Sequence, residues 1–204
     1  MIIETKRNLT QLKKLVDNKK LPDNFIHLDI PMEFYDNKLG REMLSKTGFC
    51  LLYWDWLKHL VKFLKNKKCL EIMAGCGALS YFLQRSGINI KPTDNFCYTG
   101  DWNIGKNYWT DIEDIDCLDA IVKYGKNIDV IVLSWPSVRN ITYFSLELMR
   151  LVNPNCVMVV IWEAKGEFSN KLFRDALIEI DNELIKKANK NYKGWYNDRI
   201  MLIK

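Results

Sequence analysis

From Cys69 onward the chain alternates at least four times between short apolar runs and stretches with helical periodicity, and this constrains its fold more than any other feature. CLEIM (69–73), INIKPTD (88–94), IDVIVLSW (128–135) and CVMVVIW (156–162) have the length of strands. ALSYFLQRSG (78–87), ITYFSLELMRLV (141–152) and residues 169–180 repeat their apolar positions as helices do. The run at 128–135 is apolar without interruption, as a strand buried on both faces must be. Residues 112–125 begin as a strand or turn and become a helix, and 183–204 read as a hairpin ending in the strand RIMLIK. Alternation of this kind predicts an α/β protein with a parallel sheet and helices on both faces. Such sheets bind ligands beyond the carboxyl ends of their strands, where the strand order reverses.

The rest of the chain fits one domain with an N-terminal appendage. Residues 1–20 read as a polar helix with Leu9, Leu12 and Leu15 as its apolar positions, and 21–47 as turns and short helical pieces. This N-terminal helical segment, 1–47, could serve as a lid on a domain spanning 48–204. Residues 48–64 are dense in apolar and aromatic side chains and predict a largely buried helix. With 48% hydrophobic residues the chain can fill a core, which argues against intrinsic disorder. A net charge of +5 permits an anionic partner without demanding one. Charges interrupt the apolar residues of the N-terminus, so no signal peptide is expected, and no run is long enough to span a membrane. The six cysteines include no C-x-x-C pair and there are two histidines, which argues against a metal site. Several cysteines sit in apolar runs, as reduced thiols of a cytoplasmic protein would; a disulfide scaffold is the alternative.

The sharpest chemical signal lies at 69–80, where Glu71 near a strand end precedes the turn Ala74-Gly75-Cys76-Gly77, which opens a helix. Glycine is needed where backbone approaches a ligand closely or takes positive φ, and a helix N-terminus offers unpaired N–H groups. Asp94 ends the next strand, where a carboxylate can accept bonds from ribose hydroxyls. The third glycine of a dinucleotide fingerprint would fall at Ser80 and is absent. An acid ahead of the glycines repels a pyrophosphate but suits a cation with an amino group, which favours S-adenosylmethionine over NAD.

On these residues, and over roughly 48–204, the chain resembles the class I S-adenosylmethionine-dependent methyltransferases. The resemblance implies a Rossmann-like methyltransferase fold, a mostly parallel seven-stranded sheet with helices on both faces. It implies that Ala74, Gly75 and Gly77 hold the cofactor's amino-acid end, that Glu71 orients its ammonium, and that Asp94 binds ribose. Met73 stands where the family often has glycine. Asp116, with Cys117 beside it, resembles the position that contacts adenine, with Asp111, Asp114 and Asp119 competing for that role.

Ser134-Trp135-Pro136-Ser137, after the strongest strand, is similar to the (Asp/Asn/Ser)-Pro-Pro-aromatic motif of amino-group methyltransferases. By that similarity Ser134, Trp135 and Pro136 face the reactive methyl and orient the acceptor; Trp135 replaces the first proline and Ser137 the aromatic residue. The chain is more similar still to a subset of bacterial proteins of this class. They share a Ser-Trp-Pro turn, an acid after the fifth strand and a Trp-x-Asp hairpin, matched here by SWPS, Trp162-Glu163-Ala164-Lys165-Gly166 and Trp195-Tyr196-Asn197-Asp198.

The function implied is methyl transfer from S-adenosylmethionine to an unidentified acceptor, a nitrogen on a small molecule or a nucleic-acid base, with no metal and no membrane. A Rossmann-like binding module that has lost catalysis is the rival, and an NAD-dependent enzyme a third reading. Elsewhere, His27 and His59 read as surface or core histidines rather than bases. Tyr53, Trp54 and Trp56 pack at helical spacing, or alternatively Tyr53 and Trp54 roof the cofactor or acceptor. Lys186, Lys187, Lys190 and Lys193 read as a solvated face.

Overall fold

A computed structural model describes residues 17–21, 23, 48–97, 108–136, 140–165, 169–194 and 197–204. In chain order the elements are α1 (Trp54–Leu64), β1 (Lys68–Ile72), α2 (Ala78–Arg85), β2 (Asn89–Asp94), β3 (Glu113–Asp114), α3 (Cys117–Tyr124), β4 (Val130–Ser134), α4 (Ile141–Val152), β5 (Val157–Trp162), α5 (Lys171–Ala176), α6 (Glu183–Asn191) and β6 (Arg199–Ile203).

The four runs become β1, β2, β4 and β5; β1, β4 and β5 are buried on both faces along most of their length, whereas Asn89 and Lys91 leave β2 partly exposed. The sheet order is β3-β2-β1-β4-β5-β6, parallel throughout except for β6, which runs antiparallel to β5. Alternate residues serve two cores. Val130 and Val132 of β4 face α1, α2 and α6, packing with Leu57, Leu60, Leu64, Leu83 and Ile185. Ile131 and Leu133 face α3, α4 and α5, packing with Ile121, Leu146, Met149 and Phe173. All four strand residues are completely buried, and each such side chain stabilises the fold by roughly 1.5–3 kcal/mol. The architecture is a Rossmann-like α/β fold whose strand order reverses between β1 and β4.

Four expectations change at this level. The sheet has six strands among the described residues, not seven. The expected hairpin over 183–204 is instead α6 followed by β6, because Leu184, Ile185 and Ala188 share a helical face and Asn182 caps the first turn, accepting from Leu184 N and Ile185 N. The helix expected over 169–180 ends at Ala176, after which Ile178 and Ile180 pair with β6 around a single bridge, Glu179 to Ile203. That bridge occupies the flank where a seventh strand would lie. The helix expected from residue 48 starts at Trp54, since Gly48 sits at φ +70° and Tyr53 is extended. Of the N-terminal segment, only 17–21 and 23 are described; Asp23 O accepts from Asp55 N at 3.1 Å, and Leu21 packs on the core.

Candidate functional site

The carboxyl end of β1 leads directly into the glycine turn. Met73, Gly75 and Gly77 all take left-handed backbone, at φ 54°, 58° and 72°. Ala74 N donates to Thr93 O at 3.0 Å, tying the turn to β2. Gly77 caps α2, and a Cβ there would meet Ile112 Cδ1 at 2.9 Å and Thr110 Cγ2 at 3.2 Å. Glycine at 77 is therefore fixed both by conformation and by the close approach of residues 110–112. Trp109 N donates to Cys76 O at 3.0 Å, so this segment packs over the turn.

Three expected acids line the adjoining strand ends. Glu71 is 2% exposed and accepts a hydrogen bond from the Ser80 hydroxyl at the start of α2. Burial pushes its carboxyl up to about 7, against the pull of Ser80. Asp94 Oδ2 accepts from Gly75 N and Oδ1 from Phe96 N, both at 2.7 Å, and burial raises its pKa as well. Asp116 caps α3, accepting from Leu118 N at 2.9 Å, while its other oxygen accepts from Asn95 Nδ2 at 2.9 Å. Its rivals Asp111, Asp114 and Asp119 are exposed. The Cys117 thiol is buried, receives the Ser145 hydroxyl at 3.8 Å and is pushed up to about 11 by burial. Glu71, the glycine turn, Asp94, Asp116 and Cys117 thus share one edge of the sheet.

The Ser-Trp-Pro turn ends β4 on the same edge. Trp135 takes φ 45°, and its N donates to Ile161 O at 3.2 Å. Its indole Nε1 donates to Asp198 Oδ2 at 3.0 Å, and its ring meets Phe49 at a centroid distance of 5.6 Å. Because β6 is antiparallel, its amino end reaches this edge and brings Asp198 with it. Asn197 Nδ2 donates to Glu163 Oε1 at 3.2 Å, so the segments after β4 and β5 and before β6 meet here. Pro136 is buried; Ser137, Gly166, Trp195 and Tyr196 lie outside the described residues.

Sequence reasoning missed Cys50, Tyr192 and Gly194. The Cys50 thiol lies against the Ser134 and Tyr192 hydroxyls and is pushed up to about 12 by burial. Gly194 makes room for Asp198, whose Cβ and Oδ2 would lie 2.2 Å from a Cβ at that position. The signal available for Gly194 was its place just ahead of the Trp-x-Asp segment; Cys50 and Tyr192 carried none.

Other expected residues lie elsewhere. Tyr53 and Trp56 are core: the Tyr53 hydroxyl donates to Asn191 O at 2.7 Å and Trp56 Nε1 to Leu51 O at 2.9 Å. Of the two expected to roof the site, Tyr53 is thus buried in the core, and Trp54 is 39% exposed. His59 lies on α1 near Lys58, Lys62 and Lys187; partial burial, then these charges, lower its pKa. His27 is outside the described residues. Lys186, Lys187, Lys190 and Lys193 are exposed, with Lys186 paired to Asp181 and Glu183. All six cysteines are free. Among the described residues no group of His, Cys, Asp and Glu could hold a metal ion, and no helix is long and apolar enough to cross a membrane. A cleft of about 310 Å³ between α6 and β6 contains none of the expected site residues.

No family model and no curated protein matches the chain. Among solved structures it is similar to magnesium protoporphyrin IX methyltransferase of Synechocystis PCC 6803 with S-adenosylmethionine bound, at 10% identity and a TM-score of 0.46, over 89% of this chain and 100% of that one. It is also similar to a Haemophilus influenzae protein described as a methylase, at 14% identity and a TM-score of 0.43, over 72% and 91% of the two chains. A third is the 16S rRNA (adenine(1408)-N(1))-methyltransferase of Catenulisporales acidiphilia with S-adenosylmethionine, at 10% identity and a TM-score of 0.36, over 77% and 93%. At this distance the fold class rests on the strand order and crossovers themselves, those of a doubly wound α/β domain whose last strand is reversed.

Proposed function

We propose that this protein is an S-adenosylmethionine-dependent methyltransferase acting on a nitrogen acceptor. The observation that carries the reading is the set of acids, Glu71, Asp94 and Asp116, on the strand ends around a glycine turn at the start of α2. The site lies where doubly wound sheets take their ligands. Two buried or half-buried carboxylates beside the turn are hostile to a pyrophosphate and favourable to a ligand bearing an ammonium and a sulfonium. Asp94 has spare capacity for ribose hydroxyls, since each carboxylate oxygen has two acceptor sites and one backbone N–H occupies each. The residues present therefore fit the cofactor.

When bound, S-adenosylmethionine supplies an electrophilic methyl group on a cationic sulfur. The chain's own contribution is positional. Ser134 and the carbonyls around Trp135 orient the acceptor nitrogen, and the left-handed Trp135 and buried Pro136 keep that turn stiff. Holding two reactants in near-attack geometry can supply roughly 7–11 kcal/mol of the barrier reduction. A neutral amine needs orientation alone, which suits a turn whose polar groups are a hydroxyl and carbonyls.

The N-terminal segment is read as a lid on the cofactor side. Lys19 Nζ donates to Trp109 O at 3.3 Å and sits 5.1 Å from the Tyr81 ring centroid, and Trp109 in turn holds Cys76 of the glycine turn.

Calorimetric titration of wild type and Asp94→Ala with S-adenosylmethionine, S-adenosylhomocysteine and NAD tests the reading. Micromolar binding of the two sulfur ligands, weakened at least tenfold in the variant, is the expected result. Failure to bind either at millimolar concentration would overturn it. Binding without turnover on any acceptor would leave a non-catalytic binding module.

A further inference from the structure

Tyr192 is 5% exposed, and among the described residues its buried hydroxyl and that of Ser134 make no well-formed hydrogen bond, with the Cys50 thiol beside both and the Leu51 backbone beside Tyr192. Both lie against the Cys50 thiol, and the Asp198 carboxylate is within electrostatic reach of Cys50 and Tyr192. Polar side chains from three distant segments thus converge behind the turn that ends β4. A buried polar group left unsatisfied costs about 1–3 kcal/mol, so two hydroxyls at one spot mark a place suited to a polar guest. Phe49 and Trp135, whose rings meet at 5.6 Å, bridge the same two segments that supply Cys50 and Ser134, and they add aromatic faces to the wall.

Among the described residues, the charged groups along this edge are mostly carboxylates. Glu71, Asp94, Asp116 and Glu163 stand along the edge, and the hydrogen bonds they receive among the described residues come from neutral donors. Lys19 is the described cation beside the glycine turn, held by Trp109 O, while Lys91 and Lys123 are engaged with Glu113, Lys165 with Glu179 and Arg150 with Glu147. Carboxylates combined with aromatic faces attract an ammonium group and repel a phosphate backbone.

We propose that the acceptor is a small-molecule amine, drawn in as an ammonium by Asp198 and the Trp135 ring and held as the free amine by the Ser134 and Tyr192 hydroxyls. This rests on the methyltransferase reading above. The ammonium gives one proton through Asp198 to water. The nitrogen lone pair then forms the N–C bond, the sulfur keeps the electrons of the broken S–C bond, and the product leaves as an N-methylammonium ion.

The test uses labelled S-adenosylmethionine with the small-molecule, nucleic-acid and protein fractions of an extract from cells that make this protein. Label is expected in the small-molecule fraction, retained on a cation exchanger at neutral pH. Tyr192→Phe should lower that labelling about tenfold, the loss of one hydrogen bond, with calorimetric affinity for S-adenosylmethionine unchanged. Asp198→Asn, which keeps an oxygen for Trp135 Nε1, should raise the amine KM about tenfold with a smaller change in kcat. Label in nucleic acid or protein, label in a molecule the exchanger does not retain, or unchanged labelling by both variants overturns the proposal. No label in any fraction despite bound cofactor, or no cofactor binding, removes the methyltransferase reading itself and this proposal with it.

Discussion

Replacing Gly194 with alanine probes how the wall between β4 and β6 is held. The new Cβ would lie 2.2 Å from Cβ and Oδ2 of Asp198 and 2.5 Å from its Cγ. Non-bonded carbons do not approach so closely, and the Asp198 Cβ moves only with its backbone. The chain at 194 or at 198 must therefore shift by roughly an ångström. Such a shift breaks the 3.0 Å bond from Trp135 Nε1, and a hydrogen bond to a charged group contributes about 1.5–3 kcal/mol. Overpacking adds about 1–3 kcal/mol, while the stiffer unfolded chain returns about 0.4–1 kcal/mol. The expected net loss is about 2–5 kcal/mol. In a domain of this size that lowers Tm by roughly 4–20 °C. Scanning calorimetry reads the shift, and the Trp135 indole N–H resonance reports the broken bond directly. The double variant with Asp198→Ala separates strain from the bond. That bond can be lost only once, so the pair should cost less than the sum of the single changes by about 1.5–3 kcal/mol. A Tm within about 1 °C of wild type, or additivity within about 0.5 kcal/mol, refutes the reasoning.

Glu71, raised to about 7 by burial, makes a stability contribution that is complete below its unfolded pKa of 4.5 and lost as pH rises towards 7. Compared with Glu71→Gln across that window in chemical denaturation, wild type should lose roughly 3 kcal/mol that the variant keeps; parallel curves would contradict this. Binding of a cation favours ionised Glu71, so calorimetric affinity for S-adenosylmethionine should rise with pH through about 7 in wild type and stay flat in Glu71→Gln. Asn182→Ala removes the acceptor for Leu184 N and Ile185 N and should cost about 1 kcal/mol, a Tm loss of roughly 2–4 °C, without touching cofactor affinity.

The sheet was legible because β4 and β5 are apolar without a break, a pattern tied to burial on both faces. The glycine turn and its acids were legible because their chemistry sits in consecutive residues. Asp116 was legible as a candidate, and its capping of α3 shows why an acid stands just before a helix. α6 was misread since three lysines and two asparagines hide the spacing of Leu184, Ile185 and Ala188, and the cap at Asn182 went unweighed. The six-stranded count had no local signal, because Ile178 and Ile180 meet β6 through one bridge only. Cys50 and Tyr192 were illegible for a different reason. Cys50 is an ordinary residue in an apolar stretch and Tyr192 stands among lysines and asparagines, and only the return of the chain to β4 brings the two together with Ser134.

Met73, Phe96 and Trp135 follow β1, β2 and β4, and all three hold left-handed backbone without being glycine, at φ 54°, 50° and 45°. Each gives back roughly 1–2 kcal/mol when its turn lets go. Local opening is cheaper on this rim by that amount, while the β1–β4 ladder beneath stays shut. Amide protons of the rim should therefore exchange with solvent well before those of Leu70 or Val132. A molecule that tied the three turns together would slow the rim's exchange and leave the ladder's as it was. The sheet is a stiff board with a sprung rim, and the spring lies where a ligand would press.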